Sequence, residues 1–330
     1  MKELSQKYGS MLIQNRDTVR EAFPWESGQI CLASAIIFTM KGKLADEKLL
    51  RESKKLIAQK VGVFSNFRGM VKVPTAAILA ASGDLDGTLD KGLTVYGLLK
   101  KEFWQSSYLP LAAMMIVQMA KEERYEELAA RTRRLYDRMR KEHPFLTSSE
   151  DSPFCAMLAL SNQSDDRLIE DMEKCYKILK QQFVHVNAVQ SLSHVLALFD
   201  EPAEVKCEKT MQLYQSLREA GGKYGTNYEL PALGVLAMTK VPVKEIVQEL
   251  MEIDTWLAKQ KGFGFWGGIT AKQRMMYAGM LAQKDYVEEL PLQAAAVSGT
   301  MAMVIAQETA LCAALVASIT VTAANSSSSS

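Results

Sequence analysis

Residues 143–154 read HPFLTSSEDSPF and place His143, Ser148, Ser149, Glu150 and Asp151 within one short stretch. Adjacent carboxylates beside hydroxyls and an imidazole could do acid–base chemistry or hold a divalent cation. The same residue types also start helices. Ser152 followed by Pro153 suits an N-cap and first turn, where serine accepts an orphan N–H and proline has none to lose. Further along the chain His194, Glu229 and Arg274 supply an imidazole, an acid and a cation. Glu150, Asp151, His194 and Glu229 are therefore the candidates for catalysis, provided the fold brings them together. With Arg274 or Lys72 beside them they could bind a metal with phosphate.

No other motif carries specific chemistry. The chain lacks a P-loop, a GxGxxG, an HExxH and a GxSxG. GFGFWGG at 262–268 is glycine-rich but follows a helical pattern rather than a strand, so its glycines read as helix terminators that leave room for Trp266. SDDRLIED at 164–171 has two adjacent aspartates in the manner of terpene synthases, but no second metal motif accompanies it. Asp165 and Asp166 read instead as first-turn acids that complement a helix dipole. Cofactor and metal stay unassigned from sequence.

The elements that must position these residues are helical. Valine-rich alternation is missing over any useful length, and apolar spacing follows a helix almost throughout. An apolar run with alanine near its end recurs as AAILAAS, IVQMAK, CAMLALS, SHVLALF and LGVLAMT. Each run precedes a short polar break and then an amphipathic helix; the first four of these helices reach a tyrosine, Tyr96, Tyr136, Tyr176 and Tyr214, spaced by 40, 40 and 38 residues, and the next equivalent position, 40 further on, is Asp254. A period near forty with two helices per unit marks a helical-hairpin repeat. We call the apolar helix of each pair A and the amphipathic one B. Helix A should be buried and helix B half solvated, with its tyrosine packed and its hydroxyl wet.

Connections from A to B are short and polar, as in SGDLDGT and KEER. Connections from B to the next A are longer and hold 12 of the 26 aromatics. In a stack of hairpins all links of one kind emerge on one edge. The B-to-A links should thus form a continuous rim beside the N-termini of the buried helices, where unsatisfied N–H groups favour anions. The rim residues expected to bind are Asn66 and Arg68, then Tyr108, then His143, Ser148 and Ser149. They continue with Asn187 and Gln190, and end with Tyr228, Trp266 and Arg274. The position seven residues before the Leu-Ala or Met-Ala mark holds Lys72, Ala112, Asp151, Glu229 and Arg274, a column of mixed charge. Alternatively, the links fold over and seal the core with their aromatics.

Composition bounds the function classes. With 39 basic against 38 acidic residues the net charge is +1, so nothing draws nucleic acid or anionic lipid over the whole surface. The five cysteines, Cys31, Cys155, Cys175, Cys207 and Cys312, are odd in number and free of CxxC spacing, which argues against a disulfide framework or a thiolate zinc site. The first residues lack the apolar core of a secretory signal, and the expected compartment is the cytoplasm. Residues 291–324 carry a single charge, Glu308, but are built from Ala, Ser and Thr rather than Leu and Phe. They read as small-residue helices packed on neighbours, and only in a minor reading as a membrane anchor.

The segments VFSNFRG, FWQSSYLPLAAMM, EHPFLTSSEDSPFCAMLALS, NAVQSLSHVLAL, KYGTNYELPALGVLA, QKGFGFWGG and KQRMMYAGML together resemble the DUF4003 proteins, an uncharacterised bacterial family found mainly in Firmicutes. The likeness runs over essentially the whole chain. It implies no activity and no catalytic residues.

The expected fold is all-α: an αα-hairpin repeat of about 40-residue period, either a superhelical solenoid or a closed α/α toroid. One domain is expected over residues 1–325, with a capping helix in 1–30, six to seven helix pairs in 31–290, small-residue helices in 291–325 and a disordered tail at 326–330. The expected function is that of a cytosolic repeat protein that binds a peptide, a protein or a small anionic ligand on the B-to-A rim. The alternative is an α/α-toroid enzyme with a polar pocket at the A-helix N-termini.

Overall fold

The structure is a computed structural model and describes residues 1–103, 106–263, 268–288, 313–316 and 318. Among these residues it is all-helical, without a strand. The chain divides into two compact units. The N-proximal unit comprises Met11–Leu160 with Ala314–Ser330, and the C-proximal unit comprises Met1–Ser10 with Ser161–Ala313.

The N-proximal unit takes most of α1 (Glu3–Ala22), then α2 (Gly28–Met40), α3 (Glu47–Lys60), α4 (Lys72–Ser82), α5 (Leu85–Glu102), α6 (Leu109–Met119), α7 (Tyr125–Glu142) and α8 (Ser152–Ala159). Alternate helices differ as their sequences require. Every residue of α2 from Ile30 to Thr39 is buried, as is every residue of α8. By contrast α3 buries only Leu50, Ser53 and Ile57, and its lysines and glutamates cover the other face. The apolar helices pack side by side, α2 on α4, α4 on α6 and α6 on α8, and each of α3, α5 and α7 packs on the apolar helix that follows it.

Helix ends follow local chemistry. The side chains of Ser27, Asp46 and Asp84 accept the N–H groups of Ile30, Leu49 and Gly87 at 3.2, 3.0 and 3.0 Å, which caps α2, α3 and α5. Gly83 ends α4 with φ +89°, a left-handed conformation that favours glycine.

The C-proximal unit holds α9 (Asp165–Leu179), α10 (Val186–Leu196), α11 (Ala203–Glu219), α12 (Leu230–Ala237), α13 (Val243–Ala258) and α14 (Ala271–Glu288). Again the apolar helices pack in order, α10 on α12 and α12 on α14, while α9 packs on α11 and α11 on α13. Ser164 caps α9, and Asp165 and Asp166 fill its first turn, so the acidic pair serves the helix start. A buried acid, Glu249 of α13, gathers this unit's first residues. It accepts from Ser5 at 2.6 Å and from Tyr286 at 2.9 Å, and pairs with Lys2 at 3.3 Å.

Three of the four recurring tyrosines, Tyr96, Tyr136 and Tyr214, pack on link phenylalanines. Phe67 meets Tyr96, Phe103 meets Tyr136 and Phe183 meets Tyr214, edge to face, with ring centroids 5.1, 5.2 and 5.2 Å apart. Cys31, Cys155, Cys175 and Cys207 are buried and free. Among the described residues no helix is long and apolar enough to cross a membrane. Nearly all of 291–324, with Cys312 and the tail at 326–330, lies outside the described residues.

Candidate functional site

In the N-proximal unit the links before α2, α4, α6 and α8 are joined in series. Lys72, the first residue of α4, pairs with Glu26 of the link before α2 at 2.6 Å. Asn66 donates to the Ser106 carbonyl at 3.0 Å, and Ser106 Oγ donates to the Ser149 carbonyl at 3.1 Å. Ser106 Oγ also lies 3.4 Å from Ser152 Oγ. The loop edge is therefore one bonded surface rather than four independent loops.

Several polar link residues have a structural task. Arg68 donates to the carbonyls of Ala58 and Val61, the latter at 3.0 Å, which satisfies the C-terminal end of α3. Tyr108 is buried, with its N–H on Ser106 Oγ at 3.1 Å. Half-buried His143 ends α7 through its own N–H to the Met139 carbonyl at 2.8 Å. Ser148 and Asp151 form a capping box around the short turn Ser149–Asp151: the Asp151 carboxylate accepts the Ser148 N–H at 2.7 Å. Burial raises the Asp151 carboxyl to about 7; Glu150 adds to the rise and the Ser148 N–H opposes it.

In the C-proximal unit Glu229 repeats this arrangement before α12. It is buried, and its carboxylate accepts the Asn227 N–H at 3.0 Å. Tyr224 donates to the Glu229 carbonyl at 3.1 Å, and Tyr228 accepts from Gln273 at 2.8 Å. Gln273 also takes the Thr270 N–H at 2.9 Å, which starts α14. Arg274 turns the other way and grips Asp254 of α13 at 2.7 and 3.0 Å. His194 and Gln190 are buried within α10, and Asn187 is exposed at its start. Trp266 lies outside the described residues.

Asp151 and Glu229 are thus bonded inside their own turns, Glu150 is half-buried beside Asp151, and Asp151 belongs to a different unit from His194, Glu229 and Arg274. Among the described residues no group of three or more His, Cys, Asp or Glu could hold a metal ion.

Glu229 also explains Gly225. A Cβ there would stand 2.2–2.4 Å from the Glu229 carboxylate. Gly225→Ala must push that buried carboxylate off its N–H donor, which we expect to cost about 2–3 kcal/mol. A thermal melt checks this, and a Tm within a degree or so of wild type would refute the close approach.

Link aromatics divide into two sets. Phe67, Phe103, Phe183, Tyr224 and Phe263 are buried. Phe64 and Phe145 are 100% and 98% exposed, and Trp25 in the link before α2 is 96% exposed. Trp25 carries no repeat signature in the sequence, though Pro24 marks its turn. The Thr270-to-Gln273 spacing, in contrast, is a readable capping box.

These features define an all-helical protein with hydrogen-bonded loop edges and apolar tips. The chain belongs to the DUF4003 family, described as a protein of unknown function, whose match covers residues 15–310. It is similar to the uncharacterized protein YeaA of Bacillus subtilis (strain 168), 26% identical over 197 residues. That alignment covers 56% of this chain and spans 58% of the relative. No solved structure matches.

Proposed function

We propose that the chain is a cytosolic helical-hairpin repeat protein of about 40-residue period that binds its partner on the rim formed by the B-to-A links. The classes of ligand that suit this rim are a peptide, a protein or a small anionic molecule. The observation that carries the reading is the serially bonded edge of the N-proximal unit, with Trp25, Phe64 and Phe145 almost wholly exposed on its links. Large apolar side chains held out from an ordered edge are unfavourable in water and mark interaction surfaces. Asp151 and Glu229 serve as turn staples, which supports binding over acid–base chemistry. Buried free thiols suit a reducing compartment.

Site-specific photo-crosslinking in cells tests the rim. With p-benzoyl-phenylalanine at position 64 or 145, discrete adducts are expected. The same group at position 44, in the connection between α2 and α3, should give none, although Leu44 is also exposed. Irradiation that yields no adduct at 64 or 145 would remove the rim from consideration.

A further inference from the structure

In the N-proximal unit the outer face of α5 and the start of α7 border a groove of about 590 Å³. It lies where the A-to-B connection enters α7, and none of its residues belongs to a rim link. Asp90, Lys91, Thr94 and Leu98 of α5 form one wall, a stripe at helical spacing. Glu122 and Glu123 of the connection, with Tyr125 and Glu126 of α7, form the other.

The charge of this groove is one-sided. Four carboxylates and one ammonium line it. Lys91 pairs with Glu122 at 2.8 Å, and Lys60 of α3 pairs with Asp90 at 2.6 Å. Glu123 and Glu126 make no ion pair among the described residues. A first-turn acid such as Glu126 complements the dipole of α7, but the dipole does not account for the phenol beside it. Tyr125 is only 5% exposed, yet its hydroxyl makes no hydrogen bond among the described residues. Nor is that hydroxyl enclosed by protein, so it opens on the groove that Tyr125 lines. A buried phenol with an open, unused oxygen is a hydrogen-bonding group held ready for a ligand.

We propose that this groove binds a short polyamine, an alkyl chain carrying two or three ammonium groups. Glu123 and Glu126 neutralise two of these groups, and the Tyr125 oxygen accepts an ammonium N–H. Thr94 and the half-buried Leu98 border the methylene stem. This site is separate from the rim and does not depend on it.

Size, charge and spacing select this class of ligand. The volume suits a small molecule. Two uncompensated carboxylates match a dication. A metal ion needs several donors converging on one point, and among the described residues no group of three or more His, Cys, Asp or Glu could hold one. Carboxylates spread along a groove suit charges spread along a chain. Lys91 is the built-in example, since its alkyl-ammonium side chain lines the groove and meets Glu122.

Isothermal titration calorimetry of the purified full chain with spermidine tests this, in about 20 mM salt where screening is weak. One site with a Kd on the order of 100 µM is expected. Glu123→Gln combined with Glu126→Gln should weaken binding at least roughly tenfold. Tyr125→Phe should weaken it about threefold to tenfold, the worth of one hydrogen bond. The two glutamates are exposed and phenylalanine keeps the ring, so circular dichroism should stay unchanged. Butylamine, with a single charge, should bind at least roughly tenfold more weakly than spermidine.

No heat of binding up to about 5 mM spermidine would overturn the proposal. So would an affinity indifferent to the paired glutamine changes or to Tyr125→Phe, or butylamine binding as tightly as spermidine. Magnesium chloride should displace spermidine no better than sodium chloride at equal ionic strength; preferential displacement would make this a metal site and end the polyamine reading. A tetralysine peptide that binds at least roughly tenfold more tightly than spermidine, and loses that affinity with both glutamates changed, would overturn it in favour of a basic protein segment.

Discussion

Asp171→Ala is expected to destabilise the protein by about 3–5 kcal/mol, because it strands an ammonium group in the core of the C-proximal unit. Lys206 of α11 is fully buried. Its Nζ donates to the Asp171 carboxylate of α9 and to the Phe199 carbonyl at 3.0 Å. Two thiols lie at the same helix contact, with Cys207 Sγ donating to the Cys175 carbonyl at 3.8 Å. The Cys207 contact and burial push the Cys175 thiol well above its usual range, which marks a site poor in water.

With the carboxylate gone, one carbonyl is left to hold a full charge. Lys206→Met should cost less, since Asp171 is 16% exposed and can recruit water while methionine fills the space of the lysine stem. The combination Asp171→Ala with Lys206→Met should recover most of the loss, to within about 2 kcal/mol of wild type. Urea denaturation of the four proteins measures the coupling. Additive single costs would show that the ammonium and carboxylate do not depend on each other.

Lys206 shows what a closer reading of the sequence could extract. It shares a helical stripe with Ala203, Thr210, Leu213 and Leu217, all buried, so its place on the inner face is visible in the spacing. Its partner is not, because Asp171 lies on a different helix and only packing selects it from the acids nearby. The alternation of buried and amphipathic helices was readable for the same reason as the stripe: burial on all sides demands an unbroken apolar run such as ICLASAIIF.

The rim was harder to read. Phe64 and Phe67 lie three residues apart in one loop, yet one is wholly exposed and the other wholly buried. The difference comes from the single 3₁₀ turn Asn66–Arg68, which Ser65 caps. Nothing in the residue types distinguishes them. The column of Lys72, Asp151, Glu229 and Arg274 failed to mark one equivalent place for a related reason. Asp151 and Glu229 each precede a helix, Lys72 is the first residue of one, and Arg274 lies beyond the Thr270–Gln273 start of another. Each residue of slip rotates a helical side chain by about 100°. Arg274 therefore reaches Asp254, while Glu229 stays in its own turn.

Asp151 should give the protein a stability that falls as pH rises from about 4 to 7. Its carboxyl titrates near 7 in the folded chain, well above its ordinary value of 3.8, chiefly because burial penalises the charge. Between those two values the folded chain keeps a proton that the unfolded chain has released. Unfolding then releases a proton, so raising the pH favours unfolding. The stabilisation is complete below about pH 4 and is lost by the time the pH passes the folded value. A rise from 3.8 to about 7 corresponds to a total on the order of 4 kcal/mol.

Asp151→Asn isolates this effect. Its amide oxygen can still accept the Ser148 N–H, but no charge forms. The variant should match wild type near pH 4 and exceed it at pH 8 by a few kcal/mol. The readout is the difference between the two denaturation free energies at several pH values, which cancels the other titrating groups. A difference independent of pH would show that Asp151 is solvated in the folded chain. The effect bears on the rim because Asp151 closes the turn that follows Phe145 and carries Ser149, where Ser106 attaches the neighbouring link. Ionisation at higher pH weakens the burial that holds this turn. Crosslinking from position 145 should accordingly become less selective above pH 7 in the wild type and stay constant in Asp151→Asn.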